Sequence, residues 1–161
     1  MQKITPFLWF DGNAEEAVNF YLSAFKNSKI GNISRYSEEA AKAGGRPKGS
    51  VMVITFQLNG QDFIALNGGP QFKFTEAISF LVNCETQEEV DWLWEKLSEG
   101  GKKDRCGWLK DKFGVSWQVV PTALNKLMSG GDPQQTGRVM KAMLQMDKIV
   151  IKDLERAYDN S

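Results

Sequence analysis

The pattern of apolar and polar positions runs through one cycle twice. Residues 4–10 form an apolar stretch that predicts a strand. Asp11-Gly12-Asn13 follows as a turn able to cap a helix. Ala17, Phe20, Tyr21, Ala24 and Phe25 then recur at i, i+3, i+4, i+7 and i+8, a single buried helical stripe. Residues 30–36 read as a strand. Residues 37–49 read as a flexible polar loop, because Gly44-Gly45 and Pro47 interrupt any period. Met52, Ile54, Phe56 and Leu58 alternate with Val51, Val53, Thr55 and Gln57. Asn59-Gly60 marks a hairpin, and 62–66 returns as its second strand.

The second cycle has the same order. Residues 75–82 predict a strand, and Glu85 or Thr86 caps a helix with the stripe Val90, Leu93, Trp94 and Leu97, ended by Gly100-Gly101. Short strands follow near 103–106, 108–111 and 115–120, with a tight turn at Lys112-Phe113-Gly114. The pair Glu15-Glu16 recurs as Glu88-Glu89, 73 positions later. Each half is therefore β-α-β-β-β. Past Pro121 the pattern turns helical: a short helix at 122–128, a second opened by Asp132 and Pro133, and a third at 151–158. A methionine stripe (Met140, Met143, Met146) reads as core or interface packing. The expected fold is α+β. Two βαβββ modules, 3–67 and 73–121, form a curved, mostly antiparallel eight-stranded sheet, and a helical tail, 122–161, completes a single domain.

Strand parity then locates candidate chemistry. Ile78, Phe80 and Val82, with Val115, Trp117 and Val119, make bulky faces suited to packing under helices. Ser79 and Leu81, with Ser116 and Gln118, make smaller, more polar faces that can line a pocket shared by two matched halves. Trp108 follows Gly107 and is the best aromatic wall for such a pocket. Trp9 and Trp117 share parity with helix-facing residues and read as core. Cys106 reads as a packing residue, and the short glycine runs read as turns and not phosphate loops.

Composition narrows the chemistry. There is no histidine, which excludes His-based acid–base catalysis, Ser-His-Asp and Cys-His arrangements, and His metal sites. Twenty Lys and Arg balance twenty Asp and Glu, so no net field steers the protein to nucleic acid or a membrane surface. No apolar run approaches the ~20 residues of a membrane span, and the N-terminus lacks the apolar core of a signal peptide. Two cysteines, Cys84 and Cys106, make no disulfide framework, so cytoplasm is the expected compartment.

The segments 7–21, 65–70, 78–90 and 106–121, including Phe7-Leu-Trp-Phe-Asp-Gly-Asn-Ala-Glu-Glu and Cys106-Gly-Trp-Leu-Lys-Asp-Lys-Phe-Gly-Val-Ser-Trp-Gln, carry a resemblance. The chain resembles the PhnB-like branch of the vicinal oxygen chelate superfamily, which includes glyoxalases and the fosfomycin- and bleomycin-resistance proteins. The resemblance implies a homodimer with a pocket between modules or across chains. It also implies a divalent metal held by His, Glu or Gln at the first and last strands of each half. Here those positions fall on Pro6, on Leu66 or Asn67, on Ala77 and on Gln118. Proline and alanine carry no donor, and two neutral amides are weak ligands for a hard cation. Glu76 lies next to Ala77, but its parity places it with Ile78, away from the pocket. A ubiquinone-pathway methyltransferase label attached to the branch would need a site for an adenosyl cofactor, and no glycine-rich loop after a strand offers one.

Two readings of function follow. The first is a metal-independent small-molecule binding protein, without cofactor, that sequesters or carries an apolar or aromatic compound. Its ligand contacts would be Asn67, Ser79, Trp108, Ser116 and Gln118. The second is a metal-dependent lyase, isomerase or dioxygenase, in which Glu76, Gln118 and Asn67, or a carboxylate from a neighbouring chain, converge on an ion. The residues leave open whether there is turnover.

Overall fold

A computed structural model describes residues 2–161, and the chain divides into two compact units, Met1–Lys73 and Phe74–Ser161. The first contains β1 (Phe7–Phe10), α1 (Ala14–Ala24), β2 (Ser28–Arg35), α2 (Glu38–Gly44), β3 (Val51–Leu58) and β4 (Gln61–Asn67). Its sheet has the order β1-β4-β3-β2, with β1 parallel to β4 and the other pairs antiparallel. Leu8, Phe10, Ile54, Phe56, Phe63 and Ala65 are buried, as are Ala17, Val18, Tyr21 and Ala24 of α1. Phe56 stacks on Phe63 at 5.3 Å between ring centroids and on Tyr21 at 6.3 Å. The β3–β4 hairpin turns through Asn59 and Gly60, both left-handed (φ 48° and 79°), the conformation that an Asn-Gly turn supplies with little strain.

The expected polar loop at 37–49 contains α2. Ser37 caps it by accepting a hydrogen bond from the Ala40 N–H at 3.1 Å, and Gly45 ends it in the left-handed conformation. Gly44-Gly45 is thus a helix stop, and the Ser-Glu-Glu start was the signal for it. Trp9 also departs from expectation. Leu8 and Phe10 take the buried face of β1, so Trp9 points to the opposite face, half-buried. Its ring lies against Gly68, its Nε1–H donates to the Gly69 carbonyl at 2.8 Å, and Phe72 meets it edge-on at 5.0 Å.

The second unit contains β5 (Ser79–Cys84), α3 (Gln87–Ser98), β6 (Lys102–Lys103), β7 (Trp108–Lys110) and β8 (Ser116–Pro121), followed by α4 (Thr122–Gly130), α5 (Pro133–Met143) and α6 (Ile151–Asp159). Its sheet order, β5-β8-β7-β6 with β5 parallel to β8, repeats that of the first unit. The fold class is α+β, but the expected eight-stranded sheet is two four-stranded sheets. In each module the first strand hydrogen-bonds in parallel to the last, so each module's ladder is complete with its own four strands. β5 also begins four residues later than expected, because 76–77 form a turn.

Three features hold the second unit together. Asp111 is 3% exposed and accepts from Phe113 N–H at 2.9 Å, Val115 N–H at 3.0 Å and Trp117 Nε1–H at 2.9 Å, closing the β7–β8 turn. Gly107 has φ 83°, and a Cβ there would stand 2.6 Å from the Val119 carbonyl oxygen, so this position admits only glycine. The tail docks by an apolar cluster of Val120, Leu124, Val139, Ile149 and Leu154, against which Met128, Met143 and Met146 pack. Asp132 caps α5, as its sequence predicts, and Gln135 completes a capping box with it.

Gln87 anchors the tail to α3. Its Oε1 accepts from Ile151 N–H at 2.8 Å, and its Nε2 donates to the Ile149 carbonyl at 3.1 Å and to Asp91 Oδ1 at 3.0 Å. Lys148 pairs with the same Asp91 oxygen at 2.8 Å. That hydrogen bond, with the one from Gln87, holds the Asp91 carboxyl below its ordinary 3.8. A depressed carboxyl stabilises the folded state fully above its unfolded pKa and loses that contribution as pH falls through the folded value. The urea midpoint of wild type should therefore exceed that of Asp91→Asn at neutral pH. The gap should close once pH drops below 3.8; a gap that persisted in acid would refute this role.

Candidate functional site

In the second unit α3 covers one face of the sheet and leaves the other open. Registry places Ser79 opposite Ser116, Ser116 opposite Lys110, and Lys110 opposite Lys102, one row across all four strands. The next row joins Leu81, Gln118 and Trp108. Four residues singled out from the sequence, Ser79, Trp108, Ser116 and Gln118, thus share one face. Gln118 Nε2 donates to Ser79 Oγ at 2.9 Å, tying the two rows together. A hollow of about 60 Å³ opens here, lined by Glu76, Lys102, Asp104, Trp108, Lys110 and Ser116 among others. Ser116 is 2% exposed, and its hydroxyl has no hydrogen-bond partner.

Asn67, the fifth candidate, lies in the first unit at the end of β4 and is 2% exposed. Asn13 makes no side-chain cap for α1; Asn67 Oδ1 does so from outside the helix, accepting from Ala14 N–H at 2.8 Å. Asn67 Nδ2 donates to Glu15 Oε1 at 2.5 Å and to the Val51 carbonyl at 3.1 Å, and the Asn67 carbonyl accepts from Tyr36 Oη at 2.5 Å. Both amide protons are committed to its own unit.

The first unit has the roomier hollow, about 340 Å³ on the open face of its sheet. Thr5, Lys29, Asn32, Thr55, Gln57, Asp62 and Ile64 contribute to its wall, which is chiefly apolar. Phe7 and Thr55 flank Ile64 in register on the same face. At its polar end Gln57 Nε2 donates to Asp62 Oδ1 at 2.7 Å. Sequence reading did not single these residues out. The signal was present in the period-two alternation of Val53, Thr55 and Gln57 against Ile54 and Phe56, which marks the open face.

The metal that the superfamily implies does not fit these residues. Among the described residues no group of three or more His, Cys, Asp or Glu side chains is placed to hold an ion. Pro6 and Ala77 offer no donor, Asn67 is committed as above, and Gln118 is bonded to Ser79. Glu76, expected on the face away from the pocket, in fact lines the hollow. It lies on the turn before β5, where strand parity does not apply, and it pairs with Lys110. That hydrogen bond, first, holds the exposed Glu76 carboxyl below its ordinary 4.5. Of the cysteines, burial pushes Cys84 up to about 12, an inert thiol, and Cys106 Sγ lies 3.6 Å from the Met143 carbonyl.

Residues 2–120 match the family described as 3-demethylubiquinone-9 3-methyltransferase, which leaves α4–α6 outside the match. The PhnB protein from Bacillus cereus is 45% identical, with 74% of this chain and 99% of that chain covered and a TM-score of 0.66. Protein PA1353 from Pseudomonas aeruginosa shares the fold at 23% identity, with coverage of 75% and 98% and a TM-score of 0.62. A glyoxalase/bleomycin resistance protein from Albidiferax ferrireducens T118 aligns at 12% identity, with coverage of 72% and 96% and a TM-score of 0.45. No curated protein matches.

Proposed function

The chain belongs to the PhnB-like family, described as 3-demethylubiquinone-9 3-methyltransferase, of the vicinal oxygen chelate superfamily, and from that membership we propose that it is a metal-independent small-molecule binding protein. Its ligand has an apolar or aromatic body. The observation that carries this is the 340 Å³ hollow of the first unit, within the size of ordinary small-molecule sites, with an apolar wall and polar groups at one end. Ile64 and the carbon atoms of Thr5, Thr55 and Lys29 supply apolar surface, and Gln57, Asp62 and the Lys29 ammonium can orient a polar substituent. Ser79, Trp108, Ser116 and Gln118 are proposed as ligand contacts on the open face of the second sheet. Methyl transfer is not part of the reading, since the β1–α1 turn, Asp11-Gly12-Asn13, and the β5–α3 turn, Glu85-Thr86, lack the glycine-rich loop that an adenosyl cofactor would need. The proposal extends to a homodimer. β1 and β5 are edge strands that leave Phe7 and Leu81 56% and 48% exposed, apolar surface suited to a second copy.

The test uses a neutral aromatic probe, 1-naphthol, followed by saturation-transfer NMR. Wild type should bind saturably. Ile64→Trp, which fills the hollow and removes no hydrogen bond, should weaken binding at least about tenfold, or roughly 1.4 kcal/mol. Equal binding by Ile64→Trp and wild type would reject the hollow as the site.

A further inference from the structure

The open face of the second sheet carries an arrangement that packing does not explain. Lys102 and Lys110 stand directly opposite each other on neighbouring strands, about 4.8 Å apart in the hydrogen-bonding direction. Like charges in that relation repel. Next to Lys110 in the same row is Ser116, a hydroxyl 2% exposed with nothing to bond. A buried hydroxyl without a partner is destabilising, because it has lost water and gained no acceptor. An acceptor-rich, negatively charged group in the hollow would answer both faults. The protein supplies partial substitutes: the Asp104 carboxylate also borders the hollow, and the Glu76 carboxylate, 65% exposed, reaches Lys110 from an exposed turn.

We propose that this hollow is an oxyanion site: a carboxylate or phosphoryl group of a small molecule accepts from the Ser116 hydroxyl and the ammonium groups of Lys110 and Lys102, displacing Glu76 from Lys110. At about 60 Å³ the hollow admits one such group and little more. The rest of the ligand must therefore lie outside it, along Trp108 in the adjoining row. Glu76 is then a competitor built into the chain. It holds Lys110 in place without ligand and sets a threshold that an incoming anion must exceed. The inference rests on the reading that this open face meets a ligand, and it is independent of the hollow in the first unit.

Two probes separate the sources of the oxyanion, inorganic phosphate and benzoate, each titrated into the full chain and followed by the Trp108 indole N–H in ¹H–¹⁵N spectra. At least one should shift that resonance saturably. Benzoate alone would assign a carboxylate ligand with a planar body, and phosphate alone a phosphoryl ligand. Glu76→Gln should tighten binding several-fold, since the competitor is gone. Lys110→Met should weaken it about tenfold, and Ser116→Ala at least about tenfold, the loss of one hydrogen bond to a charged group. Ser116→Ala removes only an unpartnered hydroxyl, so its thermal midpoint should not fall, and weakened binding in that variant is not a folding effect. The proposal is overturned if neither probe shifts Trp108, if Glu76→Gln binds more weakly than wild type, or if Ser116→Ala binds as wild type does. Each of these results can occur while 1-naphthol still binds the first unit, so failure here and failure of the general reading are distinguishable.

Discussion

Asp111→Ala is expected to destabilise the second unit by about 4 kcal/mol, the largest effect of any single substitution considered. The carboxylate is buried and is the shared acceptor for two backbone N–H groups and one indole N–H. Alanine removes the acceptor and leaves all three donors in place. Hydrogen bonds to a charged group contribute about 1.5–3 kcal/mol each, and part of the loss is recovered by water at the half-buried Phe113 end. Asp111→Asn separates the components. Its carbonyl oxygen can still accept from Phe113 and Val115, but its amide N–H₂ would face the Trp117 N–H, donor against donor. That variant should lose roughly half as much. Urea unfolding followed by tryptophan fluorescence measures both, since Trp117 reports on the site directly. A loss below about 1 kcal/mol for alanine would mean that the β7–β8 turn is held by other contacts.

Asn67→Ala should cost the first unit about 3 kcal/mol while leaving 1-naphthol binding by the folded protein within about twofold of wild type. Alanine removes the external cap of α1 and the bond to the Val51 carbonyl, both buried. The lost Glu15 contact matters less, because Glu15 is exposed and water replaces it. Asn67→Asp is a sharper probe. It keeps an acceptor for Ala14 N–H, but turns its second oxygen on Glu15 and on the Val51 carbonyl, both acceptors. Its deficit should grow as pH rises through the carboxylate range and the new side chain ionises. Chemical denaturation at two pH values decides the matter. Wild-type stability in Asn67→Ala, joined to lost binding, would show that Asn67 serves a ligand and not the fold.

Asn67 also shows where sequence reasoning reaches its limit. The pattern at 65–70 marks a strand end, and the resemblance puts an expected metal-ligand position at Leu66 or Asn67. Neither reveals that the amide is turned toward the α1 N-terminus. That follows from parallel pairing of β1 with β4, which sets Phe10 opposite Asn67 and brings the strand end beside the first turn of the helix. Glu76 teaches the same lesson in reverse. Parity assigned it to the wrong face, because parity holds only inside a strand and β5 starts at Ser79. Trp9 was misassigned because a short apolar run, 4–10, has no polar alternation to reveal which residues face the helix. Lys102 and Lys110 carry no signal at all along the chain, since seven residues and a turn separate them.

What the amino-acid sequence determined by itself is everything set by local periodicity and by its repetition: the β-α-β-β-β order of each half, apart from the inserted α2, the Asn-Gly hairpin, the Asp132 cap of α5, the buried stripes of α1 and α3, and the polar face shared by Ser79, Ser116 and Gln118. Propensity, capping and hydrophobic spacing act between residues a few positions apart, so they can be read in one dimension. Tertiary structure alone decided that the strands form two sheets of four, that Asn67 caps a helix fifty-three residues away, and that Ser116 is buried beside two opposed lysines with no acceptor for its hydroxyl. Those outcomes depend on which strands pair and in what register, and pairing is a choice among distant segments that local pattern does not encode.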